Sequence, residues 1–378
     1  MIVGILKESQ DYELRVAATP ETVKNLIKLG HSVIIEKLSG EGSFISDQEY
    51  IDAGAAIESL NQVCSKSDII FSVNSIDEEK LKELKSNSTI ISFFQIKDEI
   101  KRIPEYINNN LSLISMSHIP RTTLAQNMDA LSSQSNIAGY KATIIGAEHI
   151  SKYMPLLMTA AGTIKPAKVL ILGAGVAGLA AIANAKRMGA QVYAFDVRPV
   201  VKEQVESLGA KFVEVKSDTE EGVGEGGYAK EVSEDYKKKQ AELIKETIKN
   251  MDIVISTALI PEKPAPMLID KQMVESMPPG SAIIDLAAIN GGNCELTECD
   301  QIIKHHNVII DGRSYLPSTM AQDASILYAK NLFNLFKHIY NEENPLNLED
   351  EITNGSILIN KGEINNKMLQ EFLDRGNN

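Results

Sequence analysis

The chain has 378 residues and a net charge of −13, with hydrophobic residues at 43%. That length exceeds one ordinary α/β core and suits two. The acidic balance argues against nucleic acid or an anionic lipid surface, both of which need clustered Lys and Arg. The three cysteines, Cys64, Cys294 and Cys299, show no zinc spacing, so no metal is expected. Cys294 and Cys299, which bracket Glu295 and Glu298, read as surface, and a reducing cytosolic setting fits.

The opening "MIVGILKESQ" lacks a basic stretch followed by a long apolar one, so it is not a signal peptide. Strands are expected at Ile2–Leu6, Ser32–Glu36, Asp68–Val73, Thr89–Phe94 and Leu111–Ser115. Helices are expected at Pro20–Leu29, with Gly30 ending it, and at Asp77–Lys85. This alternation implies a parallel sheet covered on both faces. A helical stretch from about Thr122 to Met154 then crosses to a second series of strands: Lys168–Leu172, Gln191–Phe195, Lys211–Val215, Asp252–Thr257, Ser281–Leu286 and Val308–Ile310. Thr319-x-x-Gln322 reads as a capping box for a helix through Tyr340. Its apolar face is expected to include Ile326, Ala329, Phe333, Phe336 and Tyr340, with Leu332 and Leu335 beside it. It returns the chain to the first domain. The expected architecture is α/β, two doubly wound Rossmann-like domains with parallel sheets, joined by crossing helices. One comprises 1–130 with 318–378 and the other 131–317. After Glu342 the chain is polar except for the apolar patch "SILI".

The stretch "VLILGAGVAGLAAIANAKRMGAQVYAFDVRP" carries the sharpest motif. Gly173 permits a tight turn after a strand, Gly175 lets backbone approach a pyrophosphate, and Gly178 allows close packing of helix on strand. Val176 and Ala177 lie between them, at the helix N-terminus that would face the phosphates. Asp196, followed by Val197 and Arg198, ends the next strand. A carboxylate there accepts hydrogen bonds from ribose hydroxyls and repels a 2′-phosphate, so NAD is expected over NADP; Arg198 weakens that preference.

The segments "IPRTTLAQNMDALSSQSNIAGYKA", "MTAAGTIKPAKVLILGAGVAGLAAIA", "GGYAKEVSEDYKKKQ", "TALIPEKPAPMLI", "GSAIIDLA" and "GGNC" closely resemble the NAD(H)-binding component of the proton-translocating NAD(P) transhydrogenase family. A more distant likeness, carried by "GILKE" and "RVAATPETVKNLIKLGHSV", is to alanine dehydrogenase. The resemblance implies a homodimer that passes hydride between NADH and NADP held on a separate NADP-binding subunit. A membrane-spanning proton-channel subunit would couple the reaction. The chain has no apolar span, so it resembles the split form, cytoplasmic and peripheral at the inner face of the membrane.

The resemblance also assigns residues. Arg121, Gln126 and Asp129 match a polar loop at the nicotinamide end, with Ser132 on the carboxamide and Tyr140 as support. A structural ion pair between domains is the other reading of Arg121 and Asp129, placed two helical turns apart. Gly227 and Tyr228 match the tip of a loop that folds over the nucleotide, expected within Ser217–Gln240. A solvated linker is the alternative. Ala258 and Leu259 are expected against the nucleotide at a strand end. The chain departs from the family at Leu124, where a second Arg is usual, at Ala288, Ile289 and Asn290, and in "LPSTMAQDAS".

A related amino-acid dehydrogenase needs a Lys and a His in its first domain. Asn74 and Gln95 stand near those positions, and neither titrates near neutrality. Arg15 alone remains of that set. Lys97 reads as a loop charge and His118 as structural or at the nicotinamide edge. Hydride transfer between two nicotinamides needs no such acid and base, so a transhydrogenase subunit is the leading reading. A self-sufficient alanine-type dehydrogenase is the alternative.

Overall fold

The structure is a computed structural model that describes residues 1–215, 233–260, 263–341 and 346–376. It divides into two compact units, Met1–Gln134 with Ser318–Asn378, and Ser135–Pro317.

The sheet of the first unit runs, edge to edge, Glu363–Ile364, Ile357–Asn360, Ser112–Ser115, Thr89–Ser92, Ile69–Phe71, Ile2–Ile5, Ser32–Glu36 and Ala56–Glu58. From Ser112–Ser115 to Ala56–Glu58 the pairing is parallel. Its strands are short apolar runs because helices cover both faces. Ile5, Phe71 and Ile114 pack on one side with Leu332 and Phe336; Ile70, Ile90 and Leu113 pack on the other with Tyr106. The apolar patch "SILI" is part of this sheet. It supplies the strand Ile357–Asn360, which joins Ser112–Ser115 antiparallel.

The helix Ala321–Ile339 buries Tyr328, Leu332, Leu335, Phe336 and Ile339, while Ile326 is 38% exposed, so the buried face is turned away from Ile326. The expected capping box does not form. A 3-10 turn, Leu316–Met320, leads into the helix, so Thr319 is already wound and Met320 stands at the cap position without a side-chain bond.

The second sheet runs Lys211–Val213, Gln191–Phe195, Lys168–Leu172, Ile253–Ser256, Ala282–Asp285, Val308–Asp311 and Ile302–His305. Only the last strand is antiparallel, closing a hairpin whose turn residues His306 and Asn307 both have positive φ. The expected continuous helical stretch from Thr122 is two elements, a 3-10 helix Thr123–Met128 and the α-helix Ala130–His149. A hairpin, Leu157–Thr159 with Gly162–Ile164, follows; it is exposed, so no apolar run marks it in the sequence. Cys294 corrects another expectation: it is buried, which pushes its thiol up to about 11, whereas Cys299 is exposed.

Each sheet has one place where neighbouring strands lead to connections on opposite sides. In the first unit it lies between Ile2–Ile5 and Ile69–Phe71, in the second between Lys168–Leu172 and Ile253–Ser256. Ligands of doubly wound sheets bind in the crevice outside the carboxyl ends of such strands.

Candidate functional site

The crevice of the second unit is built from small residues. Gly173 sits at φ +101, and a Cβ there would meet Thr257 Oγ1 at 2.6 Å, so glycine is required twice over. Thr257 Oγ1 donates to the Gly173 carbonyl at 3.0 Å, tying the two strand ends together. Gly178 is packed so closely that a Cβ would lie 1.9 Å from the Gly173 carbonyl oxygen. Gly175 differs from both. It precedes the helix Val176–Arg187 as its cap, with extended backbone, and among the described residues a Cβ there would meet nothing within 4 Å. Open space therefore lies in front of a helix N-terminus whose first amides, those of Val176, Ala177 and Gly178, have no partner within the helix. Such a helix N-terminus suits an anionic group such as a pyrophosphate by sign. Tyr140 is exposed on a neighbouring helix of the same unit, next to Gly139, whose backbone packs on that of Ala177.

Asp196, 7% exposed, has all of its roughly four acceptor positions taken. Oδ2 accepts from the Ala174 N–H at 2.7 Å and Arg198 Nη2 at 2.8 Å. Oδ1 accepts from the Arg198 N–H at 2.8 Å and Nε at 2.9 Å. This fork holds the Arg198 guanidinium above its usual pKa. A ribose hydroxyl reaches Asp196 only by sharing or displacing Arg198. Val197, between them, is half-buried.

Ala258 follows the strand Ile253–Ser256, and Leu259 beyond it is 39% exposed. Gly227 and Tyr228 lie outside the described residues, as does most of the loop expected over Ser217–Gln240. The end of that stretch is not loop: the helix Glu234–Ile248 begins there, capped by Ser233, whose hydroxyl accepts from the Tyr236 N–H. Its signal is the Ser-Glu-Asp start followed by apolar residues at helical spacing.

Arg121, Gln126, Asp129 and Ser132 all fall in the first unit and line one cavity of about 420 Å³ with Pro120 and Thr122. They are not on one helix, as a two-turn spacing implies, because the chain changes from 3-10 to α at Asp129. Asp129 starts the second helix. Its Oδ1 accepts from the Ser132 N–H at 2.8 Å and its Oδ2 from Ser132 Oγ at 2.5 Å. Leu124, beside them, is 80% exposed.

The crevice of the first unit is filled by its own charged side chains. Arg15 forks onto Glu13, with Nε to Oε1 at 2.8 Å and Nη2 to Oε2 at 2.5 Å, and its Nη1 donates to Gln134 at 2.9 Å. Asn74 Nδ2 donates to Glu13 at 2.8 Å and lies within reach of Glu8 and Gln10. Burial alone would raise Glu13, yet the Arg15 bonds hold it below the usual range. Glu8 has no such partner, although it accepts from the Val73 and Asn74 N–H groups. Burial first, and the Glu13 charge second, push its carboxyl up to about 7. Glu8 is a functional candidate that the motifs do not single out; its one sequence signal is a carboxyl just after the first strand, at a switch point. Gln95 caps the short helix Ile96–Glu99 without a side-chain bond, and Lys97 lies on that helix rather than in a loop. His118 Nδ1 pairs with Ser115 Oγ at 2.8 Å, and burial pushes its imidazole down to about 4.

Two doubly wound units, one with a glycine turn opening a helix and an acid ending the next strand, define an NAD-binding, Rossmann-like oxidoreductase component. Residues 4–138 match the family described as alanine dehydrogenase/PNT, N-terminal domain, and residues 142–367 its C-terminal domain. The chain is 44% identical to an alpha-subunit polypeptide of the NAD(P) transhydrogenase of Rhodospirillum rubrum, over 96% of this chain and 97% of that one. The crystal structure of transhydrogenase from Sinorhizobium meliloti superposes with a TM-score of 0.87 at 41% identity, covering 96% of this chain and all of that one. Alanine dehydrogenase of Staphylococcus saprophyticus is more distant, at 29% identity over 96% of this chain and 95% of that one. The chain belongs to the alanine dehydrogenase/PNT family and, within it, to the NAD(P) transhydrogenase alpha subunits. Among the described residues no helix is long and apolar enough to cross a membrane.

Proposed function

We propose that this chain is the NAD(H)-binding subunit of a proton-translocating transhydrogenase. It holds NADH while hydride passes directly to NADP+ on a partner subunit, and a membrane-spanning subunit couples the transfer to proton movement. The chain works as a homodimer, held at the inner face of the cytoplasmic membrane through those partners. The observation that carries this reading is the cavity that gathers Arg121, Gln126, Asp129 and Ser132, the four residues the family resemblance assigns to the nicotinamide end.

Each group of residues has its own task. The first-turn amides after Gly175 take the pyrophosphate. Asp196 takes the adenosine ribose and opposes a 2′-phosphate, with Arg198 moderating its charge. Ala258 and Leu259 line the strand end, and Tyr140 supports the site. Gly227 and Tyr228 cover the nucleotide. Arg121 and Gln126 orient the nicotinamide ring, Asp129 fixes the Ser132 hydroxyl, and Ser132 holds the carboxamide. Direct transfer needs the two reacting carbons about 3–3.5 Å apart, so orientation and exclusion of water are what the protein supplies. No proton has to be delivered to either carbon.

The test is hydride transfer from NADH to an NADP analogue. Oxidation of NADH is expected only when a transhydrogenase NADP-binding component is added. Glu8 favours one rival, a self-sufficient alanine-type dehydrogenase, because its carboxyl, raised to about 7, is a group that titrates near neutrality; Arg15 would have to leave Glu13 to anchor a substrate carboxylate. Consumption of NADH by the chain alone with pyruvate and ammonia would replace the transhydrogenase reading with that one.

A further inference from the structure

The asparagine of the motif "GGNC" is among the most completely bonded side chains in the second unit, although it lies apart from the glycine turn. Asn293 is fully buried. Its Oδ1 accepts from the Ala258 N–H at 3.0 Å, and its Nδ2 donates to the Ala258 carbonyl at 2.9 Å and to the Pro266 carbonyl at 2.8 Å. One amide thus binds both backbone groups of Ala258, as a neighbouring strand would, and also grips the chain where it returns at Pro266. The Asn293 carbonyl accepts from the Leu268 and Ile269 N–H groups at 2.8 and 2.9 Å, and Ala265 donates to the Asn290 carbonyl at 2.8 Å.

Asn293 is itself fixed from below. Asp285, at the end of its strand and fully buried, accepts from the Asn293 N–H at 2.7 Å, the Cys294 N–H at 3.1 Å and Thr297 Oγ1 at 2.7 Å through Oδ2. Its Oδ1 accepts from Ser256 Oγ and the Ala287 N–H, each at 3.0 Å. The turn can wrap this carboxylate because Gly292 has φ +81 and no side chain; a Cβ there would lie 2.9 Å from Asp285 Oδ2. The first and last residues of this chain of bonds are on neighbouring strand ends. Ser256 precedes Thr257, which bonds Gly173 of the glycine turn.

We propose that Asn293 is a positioning residue for the nucleotide. It sets the place of Ala258 beside the glycine turn, and Asp285 acts through it without touching the ligand. The proposal rests on the NAD(H) reading of this crevice. An unfilled backbone donor or acceptor at Ala258 would otherwise have to find water or another partner at the very edge of the site. The bonds are made in the free protein, so the strand end is ordered before NADH arrives.

The experiment is calorimetric titration of NADH into the full chain and three variants, with thermal unfolding measured on each. Asn293→Ala removes all three side-chain bonds and should weaken NADH about tenfold, the scale of a net hydrogen bond or somewhat more. Asn293→Asp keeps the acceptor for the Ala258 N–H and should fall between. Thr297→Val removes one donor to Asp285 and leaves the three Asn293 side-chain bonds in place, so it loosens the same turn and should weaken NADH clearly less than Asn293→Ala. Wild-type affinity in folded Asn293→Ala overturns the proposal. So does a Thr297→Val variant that loses as much affinity at equal thermal stability. If Asn293→Ala does not fold, Asn293→Asp decides: a Kd above that of Thr297→Val supports the role, and an equal one overturns it. A wild-type chain that binds no NADH sinks the NAD(H) reading and this role with it.

Discussion

The two units share a topology and present crevices at equivalent places, but they are built of opposite materials. In the second unit the strand ends carry Gly173, Gly175, Thr257 and Ala258, and the space before the helix at Val176 is open. In the first unit the equivalent ends carry Glu8, Glu13, Arg15 and Asn74, and these side chains are bonded to one another. The sheet order makes the crevice in both cases. Side-chain volume and charge in the loops decide whether anything else can enter it. Where glycines leave backbone amides facing space, an anion has donors waiting. Where an arginine is already forked by a carboxylate, its charge is engaged inside the protein.

The largest effect should come from Gly178→Val. A Cβ 1.9 Å from the Gly173 carbonyl leaves no room for a side chain, so the helix must part from the turn. Destabilisation of about 3 kcal/mol or more is expected by chemical denaturation, the upper range for overpacking. A small change in midpoint would mean the turn is not clamped as described. Next, Asp196→Asn should weaken NADH by about 1–3 kcal/mol, since it removes a charge-assisted acceptor. Unchanged affinity by calorimetry would remove Asp196 from the site.

Glu8 sharpens the contrast from the other crevice. Its folded pKa, about 7, lies above the ordinary 4.5, so the fold binds that proton more tightly than the unfolded chain does. The resulting stability is present below about pH 4.5 and is lost as pH rises through about 7. Glu13, Arg15, Asn74 and Tyr328 are the groups around it. Relative to Glu8→Gln, the wild type should lose about 1–3 kcal/mol across that window. A pH-independent difference between the two would place Glu8 in water. The smallest expected change in binding is at the polar loop. Arg121→Ala and Asp129→Ala should slow single-turnover hydride transfer more than they weaken NADH, because orientation shows in rate. Asp129→Ala should also lose about 1 kcal/mol of stability, as the carboxylate at the start of a helix. Variants that lost affinity alone would contradict the assignment.

The parts legible in the sequence share a physical cause. Lys168–Leu172 and Gln191–Phe195 match their expected bounds because a buried parallel strand is an unbroken apolar run, ended here by glycine and by Asp196. Ile357–Asn360 is not legible as a sheet strand because its partner, Ser112–Ser115, is remote in the chain and nothing local marks the pairing. Ala56–Glu58, at the sheet edge, is only partly buried and reads as polar. In the candidate site, the glycine turn and the acid that ends the next strand are visible because spacing encodes them. The Arg198 fork, the clamp by Asn293 and the raised carboxyl of Glu8 are not, because each depends on which side chains meet across strand ends.

The most direct test of the open-and-closed contrast is NADH titration of the wild type and Gly175→Ala, with thermal unfolding alongside. Because a Cβ at Gly175 meets nothing among the described residues, the variant should lose no more than about 1 kcal/mol of stability, the scale of a poor helix cap. On the proposed reading the same Cβ would stand where the pyrophosphate binds, so affinity should fall by at least about tenfold, or about 1.4 kcal/mol. The expected result is one NADH per chain in the wild type, weakened in Gly175→Ala at nearly unchanged stability. A second NADH per chain, or wild-type affinity in the variant, would contradict the contrast between the two crevices.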